Sequence, residues 1–79
     1  MSITIARSLD LKGLSCPLPI IKTAKAIKEL NSGDLLEVFA TDPGSVPDFK
    51  AWSQTTGNPL IETSNEAGVF HFVLRKKEM

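Results

Sequence analysis

One side chain in this sequence is a soft nucleophile: Cys16, the only cysteine among the 79 residues. It stands in Gly13-Leu14-Ser15-Cys16-Pro17-Leu18-Pro19-Ile20, a glycine-containing turn that runs into two prolines flanking a single residue. Proline suits the first turn of a helix, where the N–H it lacks would have no intrahelical partner. The spacing therefore places Pro17 at the first helical position, Pro19 within the first turn, and Cys16 at the N-cap or beside it. A helix N-terminus presents partial positive charge and unpaired N–H groups. Both stabilise a thiolate, and the thiolate is the nucleophile. The prolines remove some of those donors and weaken the effect, while Lys12 and Lys22 stand nearby in sequence to add positive potential. A lone cysteine can form no internal disulfide, no Cys-x-x-Cys redox pair and no multi-thiolate metal site. Any chemistry it does, it does alone or with a sulfur atom from another molecule; an exposed thiolate can attack a persulfide and then be attacked as one in turn. The competing reading is an inert, packed cysteine acting as a small hydrophobe.

The elements that must hold this residue follow from periodicity. Residues 3–11 form an extended segment with Ile3, Ile5, Leu9 and Leu11 on one side and Asp10 and Lys12 on the other, and Gly13 ends it. A helix from Pro17 to Leu30 has an apolar side of Ile20, Ile21, Ala24, Ile27 and Leu30, and an opposite side of Lys22, Lys25, Lys28 and Glu29. Asn31 or Gly33 is expected to cap its C-terminus in the left-handed conformation. Residues 34–41 read as a strand with Leu36, Val38 and Ala40 on one face. A second helix spans 46–56, with Ser45 as N-cap, Asp48 completing a capping-box-like pair, Phe49 and Trp52 buried, and Gly57 at the end. Strands 59–64 and 69–76 form a hairpin across Asn65-Glu66-Ala67-Gly68. The order β-α-β-α-β-β implies an α/β (α+β) two-layer sandwich: a mixed four-stranded sheet with two helices on one face. The open face would carry Glu37, His71 and Arg75.

The chain's size allows one domain, residues 1–79, with little apolar material left to wall off a deep cavity. Hydrophobic residues make up 42% and charged residues 23%, which excludes disorder. No apolar run approaches the roughly 20 residues of a membrane span, and no basic segment with a long apolar core suggests a signal peptide. A cytoplasmic location is expected. Nine basic residues balance nine acidic ones, whereas nucleic-acid binders usually carry a basic excess, so direct nucleic-acid binding is not expected. His71, the single histidine, has no second ligand-type residue near it in sequence, and no metal site or cofactor is expected. Lys22, Lys25 and Lys28 form a basic strip that either docks an acidic partner or tRNA backbone beside Cys16 or is simply solvated. Asp42 either contacts a partner or prepares the second helix through an Asx turn, and Arg75-Lys76-Lys77 reads as a solvating tail.

Leu9-Asp10, Gly13-Leu14 and Cys16-Pro17-Leu18-Pro19 before an amphipathic helix resemble the Cys-Pro-x-Pro signature of the TusA/SirA-like sulfur carrier family. The likeness continues through Asn31-Ser32-Gly33-Asp34, Thr41-Asp42-Pro43-Gly44-Ser45 with Asp48-Phe49, Thr56-Gly57-Asn58 and the closing hairpin, covering nearly the whole chain. The resemblance implies a cofactor-free β-α-β-α-β-β sandwich. Its Cys16 would accept sulfane sulfur as a persulfide from a rhodanese or cysteine desulfurase and relay it to an acceptor protein. Gly13, Pro17 and Pro19 would support that residue, with Leu18, Lys22 and Asp42 as partner contacts. The protein would act as a carrier with its partners, a monomer in transient complexes. Leu18 stands between the prolines where the tRNA-thiolation type commonly has an acidic residue. This directs the expectation to sulfur oxidation or general sulfur trafficking, with a tRNA 2-thiouridine relay as the alternative. From another class, the alternative is a non-catalytic interaction or regulatory module.

Overall fold

Alternating apolar and polar residues make half-buried strands, and three- and four-residue apolar spacing makes helices that lie on them. The computed structural model, which describes residues 4–15 and 17–77, realises this in the order β1 (Ile5–Leu11), α1 (Leu18–Ile27), β2 (Leu35–Ala40), α2 (Ser45–Thr56), β3 (Leu60–Glu66) and β4 (Val69–Arg75). The sheet order is β1-β2-β4-β3. β1 and β2 are parallel, and the other two pairings are antiparallel. Both helices lie on one face, as the element order implied. No helix among the described residues is long and apolar enough to cross a membrane.

The core forms where the apolar faces of β2 and β4 meet the helices. Leu36, Val38, Ala40, Phe72 and Leu74 are sealed against Phe49 of α2 and Ala26 and Ile27 of α1. Phe49 stacks on Phe72 with ring centroids 4.5 Å apart, and Trp52 meets Phe49 edge-on at 6.5 Å. Burying each of these rings contributes about 2–3 kcal/mol, so this aromatic contact is a main anchor of α2 on the sheet.

Several local expectations are corrected. A bulge between Ile5 and Arg7 pairs Ile5 with Leu35 but Leu9 with Val38, which moves Ile5 off the core face that Leu9 and Leu11 share. Ile3 lies outside the described residues. α1 ends at Ile27, not Leu30, with Lys28 as its C-cap in the ordinary right-handed conformation. Neither Asn31 nor Gly33 caps it. Gly33 is left-handed, but in the turn before β2, where its N–H donates to the Lys76 carbonyl at 2.9 Å. The helix end is stabilised from across the molecule: Lys76 Nζ donates to the Ile27 carbonyl at 3.0 Å. The C-terminal basic run is thus tied down rather than a solvating tail, and the Lys77 N–H also donates to Asn58 Oδ1 at 2.8 Å.

Ile21 is exposed, and the buried stripe of α1 is Pro19, Thr23, Ala26 and Ile27. At 100° per residue Ile21 lies roughly opposite that stripe. The hairpin turn is the two-residue Ala67-Gly68, both with positive φ (54° and 84°). That is the twist a two-residue hairpin requires.

Candidate functional site

The parallel pairing sets the site. β1 and β2 run side by side in register to Leu11 and Ala40, so the segments 12–17 and 41–44 leave the same end of the sheet and lead into α1 and α2. The carboxyl ends of parallel strands are where open α/β sheets place their ligands.

The first segment is fastened at several points. Asp10 Oδ1 accepts the Lys12 N–H at 3.2 Å, and the Leu11 carbonyl accepts the Leu14 N–H at 3.2 Å. Gly13 turns the chain with φ 86°, and nothing lies within 4 Å of the position a Cβ would take, so glycine is needed there for its backbone freedom alone. Its N–H donates to Thr41 Oγ1 at 2.9 Å, which clamps the two segments together. Thr41 was not singled out from sequence; its role follows from the β1–β2 register, which no local pattern reveals. Leu14 turns inward and packs against the core. The Ser15 carbonyl then accepts the Leu18 N–H at 3.0 Å.

Cys16 itself lies outside the described residues; its neighbours on both sides do not. Ser15 and Pro17 are exposed. Pro17 is the N-cap rather than the first helical residue, so α1 begins at Leu18 with Pro19 second. This shift changes the inventory of donors. Pro17 and Pro19 have no N–H, the Leu18 N–H is spent on Ser15, and the Ile21 N–H closes the first helical bond to Pro17 at 3.1 Å. No acidic side chain occupies the first turn of α1. Around it, Leu18 and Ile21 stand 43% and 55% exposed, three residues apart on one side of the helix, with Lys22 exposed beside them. The apolar count over α1 hid Ile21; comparing its angular position with that of the Pro19–Thr23–Ile27 row is the signal that separates it.

The second segment is built differently. Asp42 Oδ1 accepts the Gly44 N–H at 3.2 Å, and its carbonyl accepts the Ser45 N–H at 2.9 Å. This is the Asx turn that prepares α2. Gly44, not Ser45, is the N-cap; Ser45 is the first helical residue and is buried, and Asp48 stands in the first turn.

Away from this end, the open sheet face carries the expected Glu37, His71 and Arg75. His71 Nε2 lies 2.7 Å from Glu37 Oε2, and Ser8 Oγ donates to Glu37 Oε1 at 2.5 Å. The Ser8 hydrogen bond, with His71 second, holds the Glu37 carboxyl below the usual carboxylate range. His71 also stacks on Phe39 at 4.9 Å.

Comparison with known proteins accords with this geometry. Residues 7–76 match the family described as sulfurtransferase TusA. The sulfur carrier protein TusA of Allochromatium vinosum is 50% identical over 70 residues, covering 89% of this chain and 92% of that protein. The TusA of Pseudomonas aeruginosa is 35% identical, with 98% of each chain covered. The putative sulfur carrier protein YrkI of Bacillus subtilis is 48% identical over 86% of this chain and 91% of its own length. Among solved structures, the SirA-like protein from Desulfitobacterium hafniense superposes with a TM-score of 0.79 at 24% identity, covering 91% of this chain and 99% of that one; it shares the fold. With the match spanning the sheet, both helices and the Cys-Pro-Leu-Pro turn, the chain belongs to the TusA sulfurtransferase family of sulfur-trafficking carriers.

Proposed function

We propose that Cys16 carries sulfane sulfur as a persulfide, taking it from a donor protein and relaying it to an acceptor protein. In the loading step the Cys16 thiolate attacks the outer sulfur of a donor persulfide. The donor S–S bond breaks, a new S–S bond forms on Cys16, and the donor leaves as a thiolate. Sulfur moves with no net oxidation, so no other co-reactant is needed. Unloading is the same exchange with the acceptor thiolate as nucleophile.

The observation that carries this reading is the placement of the single cysteine between exposed Ser15 and exposed Pro17, at the start of a helix whose first turn holds no acid. The helix dipole then acts on the thiolate with little competition. Gly13 is held by Thr41 on one side of Cys16 in sequence, and Pro17 and Pro19 stiffen the chain on the other. Leu18 and Ile21 offer apolar contact beside it. Leu18 in place of an acid favours sulfur oxidation or general sulfur trafficking in the cytoplasm over tRNA thiolation. The donor would be a rhodanese or a cysteine desulfurase, and the protein would act as a monomer in transient complexes. Asp42 acts here through the Asx turn.

The test is intact mass after incubation with polysulfide. The wild-type protein gains ~32 Da for each sulfur bound, and Cys16→Ser gains nothing. A wild-type protein that resists both polysulfide and native-state alkylation would be carrying an inert, packed cysteine, and the proposal would be lost.

A further inference from the structure

A groove of about 560 Å³ lies between β1 and α1 and extends to Leu14, two residues before Cys16 in sequence. It exists because α1 packs over β2 and against α2, leaving the outermost strand uncovered. Five consecutive residues of β1, 7–11, line it together with Leu14, Lys22, Lys25 and Ala26. Consecutive strand residues point to opposite sheet faces, so what they jointly present to the groove is the free edge of the strand. The Arg7–Glu29 ion pair links β1 to the turn just past α1, at the end away from Leu14. Asp10 is engaged by Lys12 at 3.9 Å. Among the described residues Lys22 and Lys25 form no ion pair. The groove therefore has a mixed lining in which Leu9, Leu11, Leu14 and Ala26 are apolar, with the strand edge on one side and Lys22 and Lys25 on the other, Lys25 also feeling the Glu29 carboxylate.

We propose that this groove receives an extended acidic segment of the protein with which Cys16 exchanges sulfur, added to β1 as a fifth strand. Main-chain bonds along a free edge supply affinity without regard to sequence, and alternate side chains supply specificity. Here alternate acidic side chains meet Lys22 and Lys25. The opposite edge cannot serve: β3 carries Glu62 and Glu66 and no basic residue, so an acidic segment is repelled there. The β1 residues that line the groove are 7–11, and the lining continues to Leu14, so a segment paired there would end two residues in sequence from Cys16. The inference rests on the carrier reading for the identity of the partner, though not for the binding itself.

The full-length protein, isotopically labelled, is titrated with a capped heptapeptide of alternating Glu and Val. Amide shifts are expected at residues 7–11 and around Lys22 and Lys25, with affinity falling roughly tenfold in a Lys22→Glu/Lys25→Glu variant and with rising salt. A Lys–Val peptide of the same length should not bind, and a backbone N-methylated Glu–Val peptide should lose binding because it cannot pair with the edge. The proposal is overturned by equal binding of the Lys–Val or the N-methylated peptide, by shifts mapping to β3, or by no saturable binding. Polysulfide loading is followed in parallel on the wild-type protein, which should gain ~32 Da at Cys16. Peptide binding without loading strikes at the carrier reading alone, and loading without peptide binding strikes at the groove alone.

Discussion

The two helix starts lie side by side at one end of the sheet, yet they are built to opposite ends. α2 is entered through an Asx turn from Asp42, with Ser45 buried at its first position and Asp48 in its first turn. Its donors and its dipole are met internally. Neither helix has a side-chain cap bond at its N-cap residue, but α1 is entered through Pro17 and Pro19 with no acid in its first turn. Its entrance is stiffened by fixed proline φ angles together with the Leu18 and Ile21 N–H bonds, and no acidic side chain in its first turn opposes its dipole. A polar cap would have stabilised α1 by about 1 kcal/mol. Forgoing it leaves the positive end of α1 unopposed by any acidic side chain in its first turn.

The sharpest way to break this contrast is to make α1 resemble α2. Leu18→Glu places a carboxylate in the first turn of α1, where it competes with Cys16 for the dipole. Iodoacetamide alkylation of Cys16 near neutral pH should slow about two- to fivefold, from the 0.3–1 kcal/mol such a charge is worth. An unchanged rate would mean the dipole does not reach the sulfur. Next in size is the clamp between the two segments. Thr41→Val keeps the shape and removes the oxygen that accepts the Gly13 N–H. Loss of about 0.5–1 kcal/mol is expected, read as faster hydrogen exchange at Gly13 and a lower melting temperature. Wild-type exchange at Gly13 in that variant would remove the clamp from the account. The smallest effect is expected at α2: Asp48→Asn should cost a few tenths of a kcal/mol of stability and leave Cys16 alkylation unaltered. A change in alkylation as large as that from Leu18→Glu would show that the two starts are not independent.

Much of this was legible in the residues themselves. The element order, the two-layer arrangement, the core face of β2 and the Cys-Pro-Leu-Pro turn all follow from local spacing. The misjudged positions share a cause. Ile21 was counted as core because it is isoleucine, although its angular position on α1 opposes Pro19 and Thr23. Ile5 was assigned to the core face by counting in twos, which a single inserted residue at the bulge reverses. Asn31 and Gly33 look like helix caps, but Lys76 Nζ reaches the end of α1 from 49 residues away.

Periodicity and proline placement are properties of a few adjacent residues, so the chain alone decided that a cysteine would precede a proline-stiffened helix start. Register, bulges and layer coverage depend on contacts between segments far apart in sequence. Only the packed molecule therefore decided that Thr41 would clamp Gly13, that Leu18 and Ile21 would stand outside the core, and that α1 would sit over β2, leaving the edge of β1 open. The physical division is between what backbone sterics and side-chain spacing impose locally and what burial of one shared apolar layer imposes on elements that must compete for it.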